Sequence, residues 1–218
     1  MTRVPLAALA LTLGLTGLAG CKIVKNPEPG SETANAASAT PASDAERMGK
    51  LAADLYRARL LPFVTEQAVE IAVLRGALAS GLEAAGAAHG HRPPSEGSPW
   101  NFLVKGQGRV IKADTAARAA KLDLDTDGDG AADLVVQLGP VIKGTALRDA
   151  ADFIVFTDFR DQIEFAKLAR ALNDAAHKAL ALPAGDLTGK TFAFEGAFTL
   201  RTAADAMSLV PTQLKEVP

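Results

Sequence analysis

Four aspartates lie close together in one short polar segment, and their spacing suits a hard divalent cation. Counting from Asp125, they stand at positions 1, 3, 5 and 9, from which the oxygens of a tight loop can converge on calcium. Gly130, at position 6, permits the sharp turn of an EF-hand loop, but position 12 is Val136 and not a bidentate glutamate. The segment therefore indicates a candidate Ca²⁺ site outside the EF-hand class, with four candidate ligands: Asp125, Asp127, Asp129 and Asp133.

The same residues also suit a plain β-hairpin turn. Gly128 and Gly130 tolerate positive φ values, and Asp side chains bond to their own backbone in turns. The flanking segments, Lys121–Asp125 and Asp133–Leu138, have the alternating pattern of strands. A metal-binding turn and a metal-free turn both stay open, and a cation would relieve the repulsion among the carboxylates.

A second candidate site lies at the start of a short predicted helix. Thr145 can cap that helix, and Arg148 can form paired hydrogen bonds with a carboxylate or with two sugar hydroxyls. A capping residue followed by a purely structural ion pair is the alternative. The sequence thus offers four candidates for binding a ligand or partner: Gly144, Thr145, Arg148 and Asp149.

The sequence carries no recognisable catalytic motif. It has no Gly-X-Ser-X-Gly elbow, no P-loop, no His-Glu-X-X-His motif and no dinucleotide fingerprint. Three histidines and one cysteine leave little material for a triad or a histidine-based metal site, and His89 and His91 fall in a predicted surface loop. We therefore expect no catalytic residue and no enzyme, with a carboxylate-based hydrolase as the weakest alternative.

Composition restricts the function further. The 218 residues include 23 Lys and Arg against 25 Asp and Glu, which gives a net charge of −2. The chain is near neutral and has no basic stripe to displace the counterions of phosphates, so we expect no nucleic-acid partner. A hydrophobic content of 48% with 22% charged residues is typical of a globular chain.

The single cysteine, Cys21, follows a segment typical of a bacterial lipoprotein signal. Arg3 is the only charge before it, and residues 4–18 are mostly apolar but too short to span a bilayer comfortably. The small residues Ala19 and Gly20 suit a signal peptidase, and the Cys21 thiol can take a diacylglyceryl group as a thioether. We predict a signal peptide over residues 1–20 and a lipidated Cys21, whose palmitate-type acyl chains form a stable membrane anchor.

The residues after Cys21 indicate the destination of the protein and a tether. Lys22 stands where an aspartate would favour the inner membrane of many Gram-negative bacteria, so we expect the outer membrane, facing the periplasm. Residues 21–43 are rich in Pro, Ser, Thr and Ala without apolar periodicity. This composition predicts a flexible lipidated tether.

Apolar periodicity places a helical segment over residues 44–90 and an α+β domain over residues 91–218. Ser43 or the residue after it can cap the first helix, and Pro62 should break the helical run. The Gly-rich stretch 81–90 should fray.

The α+β domain should contain five strands, a long helix over about Asp158 to Leu180, and a loosely ordered tail. Three strands, a helix and two further strands is the order of an OB-fold barrel. We predict an α+β fold, in which an N-terminal helical segment precedes a small OB-like five-stranded β-barrel with a long helix between the last two strands. The predicted strands are 102–111, Lys121–Asp125, Asp133–Leu138, Phe153–Phe156 and Thr191–Phe198.

Several stretches form a more specific pattern, and they are Cys21–Val24, Ser98–Phe102, Val104–Val110, Asp125–Asp133, Gly139–Asp149, Asp158-Phe159, Gln162–Phe165 and Leu172-Asn173. Together they resemble a domain-of-unknown-function family of predicted bacterial periplasmic lipoproteins, often encoded beside ribose-type sugar ABC-transporter genes. The resemblance covers nearly the whole mature chain and carries no catalytic residue with it. It implies an accessory role near a carbohydrate uptake system.

We therefore expect a periplasm-facing, membrane-anchored lipoprotein that acts as a non-catalytic binding or accessory module, with sugar ABC-transporter components as partners. The first alternative is a calcium-stabilised structural module of the envelope. The second is the carboxylate-based hydrolase.

Overall fold

The computed structural model describes residues 43–217. Its first helix, α1 (Asp44–Leu55), begins where the sequence predicts. The Ser43 hydroxyl accepts the backbone N–H of Glu46, and the Glu46 carboxylate accepts the backbone N–H of Ser43. This capping box satisfies two backbone donors, one of them among those that a helix start leaves without helical partners.

Pro62 does not break the helical run, contrary to the sequence prediction. The chain continues from α1 through one π-helical turn, Tyr56–Leu60, into α2 (Leu61–Gln67). Pro62 lies just after the π-helical turn, where the N–H of Leu61 bonds to the carbonyl oxygen of Tyr56 and the regular i→i−4 pattern is already interrupted.

The prediction that residues 81–90 fray is also wrong, because they contain a helix. After α3 (Ile71–Leu78), the chain forms α4 (Leu82–His89). A Cβ atom on Gly86 would lie 2.2 Å from the ring of Trp100, so glycine lets α4 pack directly against that ring. This tertiary contact compensates for the weak helix propensity of glycine.

Two very short strands join the helical segment to the barrel. β1 (Val69–Glu70) lies between α2 and α3, and β2 (Gly90–His91) directly follows α4. Both pair with the first barrel strand, β3 (Trp100–Asp114), β1 in parallel and β2 in antiparallel orientation.

Five strands close the barrel, and they are β3, β4 (Ala119–Asp125), β5 (Leu134–Pro140), β6 (Thr191–Leu200) and β7 (Met207–Val217). β3 pairs with β4 and β6, β4 with β5, and β7 with both β5 and β6, which completes the ring. Two helices, α5 (Ala146–Asp149) and α6 (Gln162–Ala179), connect β5 to β6. The prediction of an α+β fold with an OB-like five-stranded barrel is confirmed.

Two details of that prediction are wrong. Residues 153–156 form no strand; Phe153 instead packs edge-to-face on Phe63 of the helical segment. The last strand is β7, in the tail that was expected to be loosely ordered, so α6 lies between the third and fourth barrel strands. β7 is ordered because its buried side chains, Leu209 and Leu214 among them, belong to the core of the barrel.

Apolar side chains form two cores. One fills the barrel, and its aromatic members on β3 and β6 are Phe102, Phe192, Phe194 and Phe198. The other packs α1, the π-helical turn, α5 and α6 against the barrel, and its fully buried leucines are Leu60, Leu147, Leu168 and Leu172. The helical segment and the barrel thus belong to one compact unit. Within residues 43–217, no helix is both long enough and apolar enough to cross a membrane.

Candidate functional site

The aspartate-rich segment forms the turn between β4 and β5. Asp125 is 6% exposed, and its carboxylate accepts the backbone N–H groups of Asp127 (3.2 Å), Gly128 (2.6 Å) and Gly130 (3.0 Å). These bonds, that of Gly128 first, hold the pKa of Asp125 below its usual range. The φ values of Gly128 and Gly130 are 84° and 89°, so the turn requires glycine at both positions.

Three of the four aspartates come together in this turn. One carboxylate oxygen from each of Asp125, Asp127 and Asp133 lies within 4.8 Å of the other two, close enough to hold one metal ion. Asp129 is not part of this group, and its carboxylate accepts the N–H of Ala131 at 2.7 Å. Calcium binding by the aspartates stays a prediction, with three carboxylates placed for it.

The guanidinium of Arg75, from α3, binds two of these carboxylates. Its Nη1 lies 3.2 Å from Oδ2 of Asp127, and its Nη2 lies 2.8 Å from Oδ2 of Asp133. It also donates to the hydroxyl of Thr126, which donates in turn to Oδ1 of Asp133 at 2.9 Å. The turn therefore has a counter-charge of its own. Sequence reasoning missed it because Arg75 precedes Thr126 by 51 residues.

The second candidate group is bonded within the protein. Nε of Arg148 donates to Oδ1 of Asp149 at 2.7 Å, and its Nη1 donates to the carbonyl oxygen of Phe165 at 3.0 Å. The guanidinium also lies over the Phe165 ring, 3.7 Å from the centroid, in a cation–π contact. The hydroxyl of Thr145 donates to Oδ2 of Asp149 at 2.5 Å.

The same group is attached to α6 through Gly144. The side-chain amide of Asn173 donates to the Gly144 carbonyl oxygen at 3.0 Å. The side chains of Arg148 and Asp149 are only 11% and 13% exposed. These contacts fit the structural ion pair that the sequence left open as the alternative, and ligand binding by Gly144, Thr145, Arg148 and Asp149 stays a prediction.

His89 and His91 do not lie in a surface loop, contrary to expectation. His89 is the last residue of α4, and His91 belongs to β2. Nδ1 of His91 lies 2.6 Å from the carbonyl oxygen of Asp149, which connects β2 to the Arg148 group. Pairing with β3 is what turns this part of the chain into regular structure.

A groove on the outside of the barrel gathers polar residues that sequence reasoning missed. It has a volume of about 460 Å³ and lies where β3, β6 and β7 meet the start of α3. Lys105 and Gln107 come from β3, Glu195 from β6 and Gln213 from β7. Within residues 43–217, only Glu195 of these four has a side-chain partner, the Thr65 hydroxyl, which donates to it at 2.8 Å. We call this the polar groove.

Residues 11–215 match the family model described as "Predicted periplasmic lipoprotein (DUF2291)". The chain belongs to this family. The match includes Cys21 together with the helical segment and the barrel, and it confirms the resemblance to a family of predicted periplasmic lipoproteins. The protein is thus a lipoprotein of the cell envelope that faces the periplasm. Cys21 itself lies outside the described residues, and its lipidation stays a prediction.

A solved structure gives the fold an independent comparison. The chain is similar to an OB-fold protein from Thermotoga maritima, with a TM-score of 0.61 and 17% sequence identity. The likeness covers 78% of this chain and 98% of that one, and at this identity it shows the fold alone. No curated protein matches the sequence significantly.

Proposed function

We propose that this lipoprotein is a non-catalytic binding module, anchored through a lipid on Cys21, and that its polar groove binds a carbohydrate. The observation that carries the proposal is the position of Lys105, Gln107 and Gln213. These side chains line one groove and have no side-chain partner within residues 43–217. Groups of this kind are available to a ligand that can satisfy them.

The chemistry of the groove matches that of a sugar. Sugar hydroxyls both donate and accept hydrogen bonds, and the amides of Gln107 and Gln213 offer both functions. Lys105 adds a donor, and Glu195 adds an acceptor whose second oxygen is free of the Thr65 bond. A volume of about 460 Å³ falls within the range of small-molecule sites.

The carboxylates support a binding role over hydrolysis. A carboxylate-based hydrolase needs one carboxylic acid whose pKa is raised, so that it can protonate a leaving group. Within residues 43–217, every carboxyl group whose pKa departs from its usual range has it lowered. Asp161, for example, has a lowered pKa because its carboxylate accepts the backbone N–H of Glu164.

The proposed cellular role is assistance to a sugar ABC transporter, with the protein sorted to the outer membrane. The predicted signal peptide (residues 1–20) and tether (residues 21–43) would give the folded part access to the periplasm, where such transporters collect substrate. The resemblance to proteins encoded beside ribose-type transporters supports this role.

Calorimetric titration with D-ribose, D-glucose and D-galactose tests the groove. The mature protein with Cys21→Ala serves as the soluble form. We expect at least one sugar to bind, and expect Gln107→Ala and Gln213→Ala each to weaken it by about tenfold, the effect of losing one good hydrogen bond. Gln162→Ala, at an exposed position of α6, is the matched control. No binding by any of the three sugars, or binding as tight as that of the wild type in both groove variants, would contradict the proposal.

A pull-down tests the cellular role separately. The wild-type lipoprotein, isolated from membranes, should recover transporter or substrate-binding subunits above the level of a Cys21→Ala control. Recovery equal to that control would contradict the transport role.

A calcium-stabilised structural module is the second candidate, favoured by the three clustered carboxylates. Calcium that binds only the folded state should raise the melting temperature of the metal-free protein by mass action. No rise at millimolar calcium, with Asp127→Ala behaving like the wild type, would contradict this candidate.

A further inference from the structure

Exposed apolar side chains gather in one segment at the start of α6. Within residues 43–217, six large hydrophobic side chains are exposed, and three of them fall between residues 155 and 163. These three are Val155, Phe156 and Ile163, which are 42%, 42% and 62% exposed. Single exposed hydrophobics are normal, but several in one short segment mark a surface that contacts another apolar surface. We call these three side chains the apolar patch.

Aromatic packing beneath the apolar patch holds it in place. The Phe156 ring meets the Phe165 ring edge-on, with centroids 5.5 Å apart, and the Phe159 ring lies 5.1 Å from the same Phe165 ring. Phe159 and Phe165 are half-buried and pack against the core between the helices and the barrel. Ile163 lies in the first turn of α6. The patch is therefore presented by ordered structure and is a feature of the fold.

The described chain begins beside this segment. Asp44, the first residue of α1, accepts from Nη2 of Arg160 at 2.9 Å and from Nζ of Lys167 at 3.2 Å. Arg160 belongs to the segment 155–163 itself. These ion pairs attach the start of α1, where the predicted tether ends, to the segment that carries the apolar patch.

The predicted tether would keep this end of the fold near the bilayer. It spans residues 21–43, and a flexible chain of this length has an r.m.s. end-to-end distance on the order of 25 Å. That distance is less than the diameter of a small domain, about 30 Å. A lipid on Cys21 would thus hold the apolar patch at a high effective concentration relative to the bilayer, so that even a weak apolar contact would form.

The charges around the apolar patch favour apolar contact over attraction to anionic headgroups. Arg160 also pairs with Asp161 at 3.1 Å, and Arg47 pairs with Glu164. Asp158 is exposed and forms no ion pair within residues 43–217. The segment 155–163, all of it described, therefore carries no unpaired cation for a phosphate group. The chemistry it offers to a bilayer is hydrophobic.

We propose that the apolar patch docks on the bilayer that holds the lipid anchor, with Val155, Phe156 and Ile163 inserted at the boundary between headgroups and acyl chains. Surfaces that bury apolar area at this depth bind bilayers without spanning them. The inference rests on the anchoring at Cys21 that belongs to the proposed function. Docking would fix one orientation of the folded part against the membrane.

A chemical anchor tests docking separately from lipidation in the cell. Cys21 is the only cysteine, so the mature chain can be coupled through its thiol to maleimide-phosphatidylethanolamine in phosphatidylcholine vesicles. Lipids brominated in their acyl chains quench the fluorescence of tryptophan that touches them. We expect them to quench Phe156→Trp, and not to quench Val73→Trp beyond the wild-type level, which reports Trp100 alone. Val73, 53% exposed on α3, is the matched control position.

The failures of the two proposals are distinguishable. Absence of quenching in coupled Phe156→Trp would overturn docking and leave the anchoring at Cys21 and the binding of sugar as they are. Absence of an acyl chain on Cys21 in cells would overturn the anchoring and, with it, this inference.

A second set of variants separates docking from mere proximity. Coupled Ile163→Trp should also be quenched, and adding Val155→Ser and Phe156→Ser to that chain should abolish the quenching. Their melting temperatures show that both proteins are folded at the temperature of the measurement. Quenching that persists in the folded serine variant would show that the tether alone brings residue 163 to the lipid, and would overturn docking through the patch.

Lipid composition distinguishes apolar contact from attraction by charge. We expect equal quenching of Phe156→Trp in vesicles of phosphatidylcholine alone and in vesicles with equal parts of phosphatidylglycerol, since the segment has no unpaired cation. Quenching that requires phosphatidylglycerol, and is lost in high salt, would overturn the apolar contact.

Discussion

The guanidinium of Arg75 lies 2.8 Å from the carboxylate of Asp133 and thereby connects α3 to the β4–β5 turn of the barrel. Because Arg75 also pairs with Asp127, two of the three clustered carboxylates share one guanidinium, which offsets part of their charge. These ion pairs attach the turn to the helical layer. A calcium ion at the clustered carboxylates would compete with the Arg75 guanidinium for Asp127 and Asp133.

Replacing Arg75 with glutamine should lower stability and strengthen the response to calcium. The two half-exposed ion pairs suggest a loss of about 1 kcal/mol in the free energy of unfolding. Without the guanidinium, the carboxylates repel one another and a cation relieves more of that cost. Thermal unfolding with and without millimolar calcium should show a larger rise in melting temperature for Arg75→Gln than for the wild type. Arg170→Gln is the control, and an equal or smaller rise in Arg75→Gln would contradict the expectation.

Asp125→Asn should destabilise the protein at neutral pH and much less in acid. The folded-state pKa of Asp125 is lowered, so the stability it contributes is present above the unfolded-state pKa of about 3.9 and is lost as the pH falls through the folded value. The denaturation midpoints of variant and wild type should therefore differ at pH 7 and approach each other as the pH falls below the unfolded-state pKa. Asp129→Asn, which keeps a side-chain oxygen to accept the exposed N–H of Ala131, is the control. A constant difference across this range would contradict the assignment.

Gly86→Ala should destabilise the protein, whereas Gly76→Ala should not. A Cβ on Gly86 would lie 2.2 Å from the Trp100 ring, and overpacking of this kind costs about 1–3 kcal/mol. Gly76 lies in α3 with nothing within 4 Å of its Cβ position, so alanine there should stabilise the helix by about 0.5–1 kcal/mol. Urea denaturation of both variants measures the change in the free energy of unfolding, which should be a decrease for Gly86→Ala and an increase for Gly76→Ala. Equal changes would contradict the packing argument.

Cys21→Ser should release the protein from the membrane. Without the thiol no thioether can form, so the stable anchoring that several acyl chains provide is lost. The wild type should incorporate radiolabelled palmitate and sediment with membranes, and the variant should do neither. Labelling of Cys21→Ser at the wild-type level would show that the acyl chains are attached elsewhere.

Local patterns in the sequence predicted the features that depend on neighbouring residues. The helix cap, expected at Ser43 or the next residue and found at Ser43, and the turn at Asp125–Asp133 each depend on residues a few positions apart. Arg75 and the polar groove could not be predicted in this way. Each depends on residues brought together from distant parts of the chain. The alternating pattern of a strand shows which side chains share a face, but it does not show which strand pairs with it.

The strand β7 was missed for a specific physical reason. Pro211 interrupts its apolar pattern, and proline within a run argues against a central strand. In the barrel, Pro211 pairs with Gly196 at a shift in register between β6 and β7. A Cβ on Gly196 would lie 2.3 Å from the carbonyl oxygen of Val210, so only glycine lets the backbone at Pro211 approach β6 this closely. This compensation is visible only when both strands are in place.

The position of β7 also has a kinetic consequence. The barrel closes only when Met207–Val217 inserts between β5 and β6, in parallel with a strand that precedes it by a long stretch of chain. Such non-local pairings form slowly, because the loop-closure entropy is lost before the contacts are gained. A chain that emerges N-terminus first therefore cannot close this barrel until Met207–Val217 has followed the other four strands. Any truncation that removes β7 should leave both β5 and β6 with an unpaired edge.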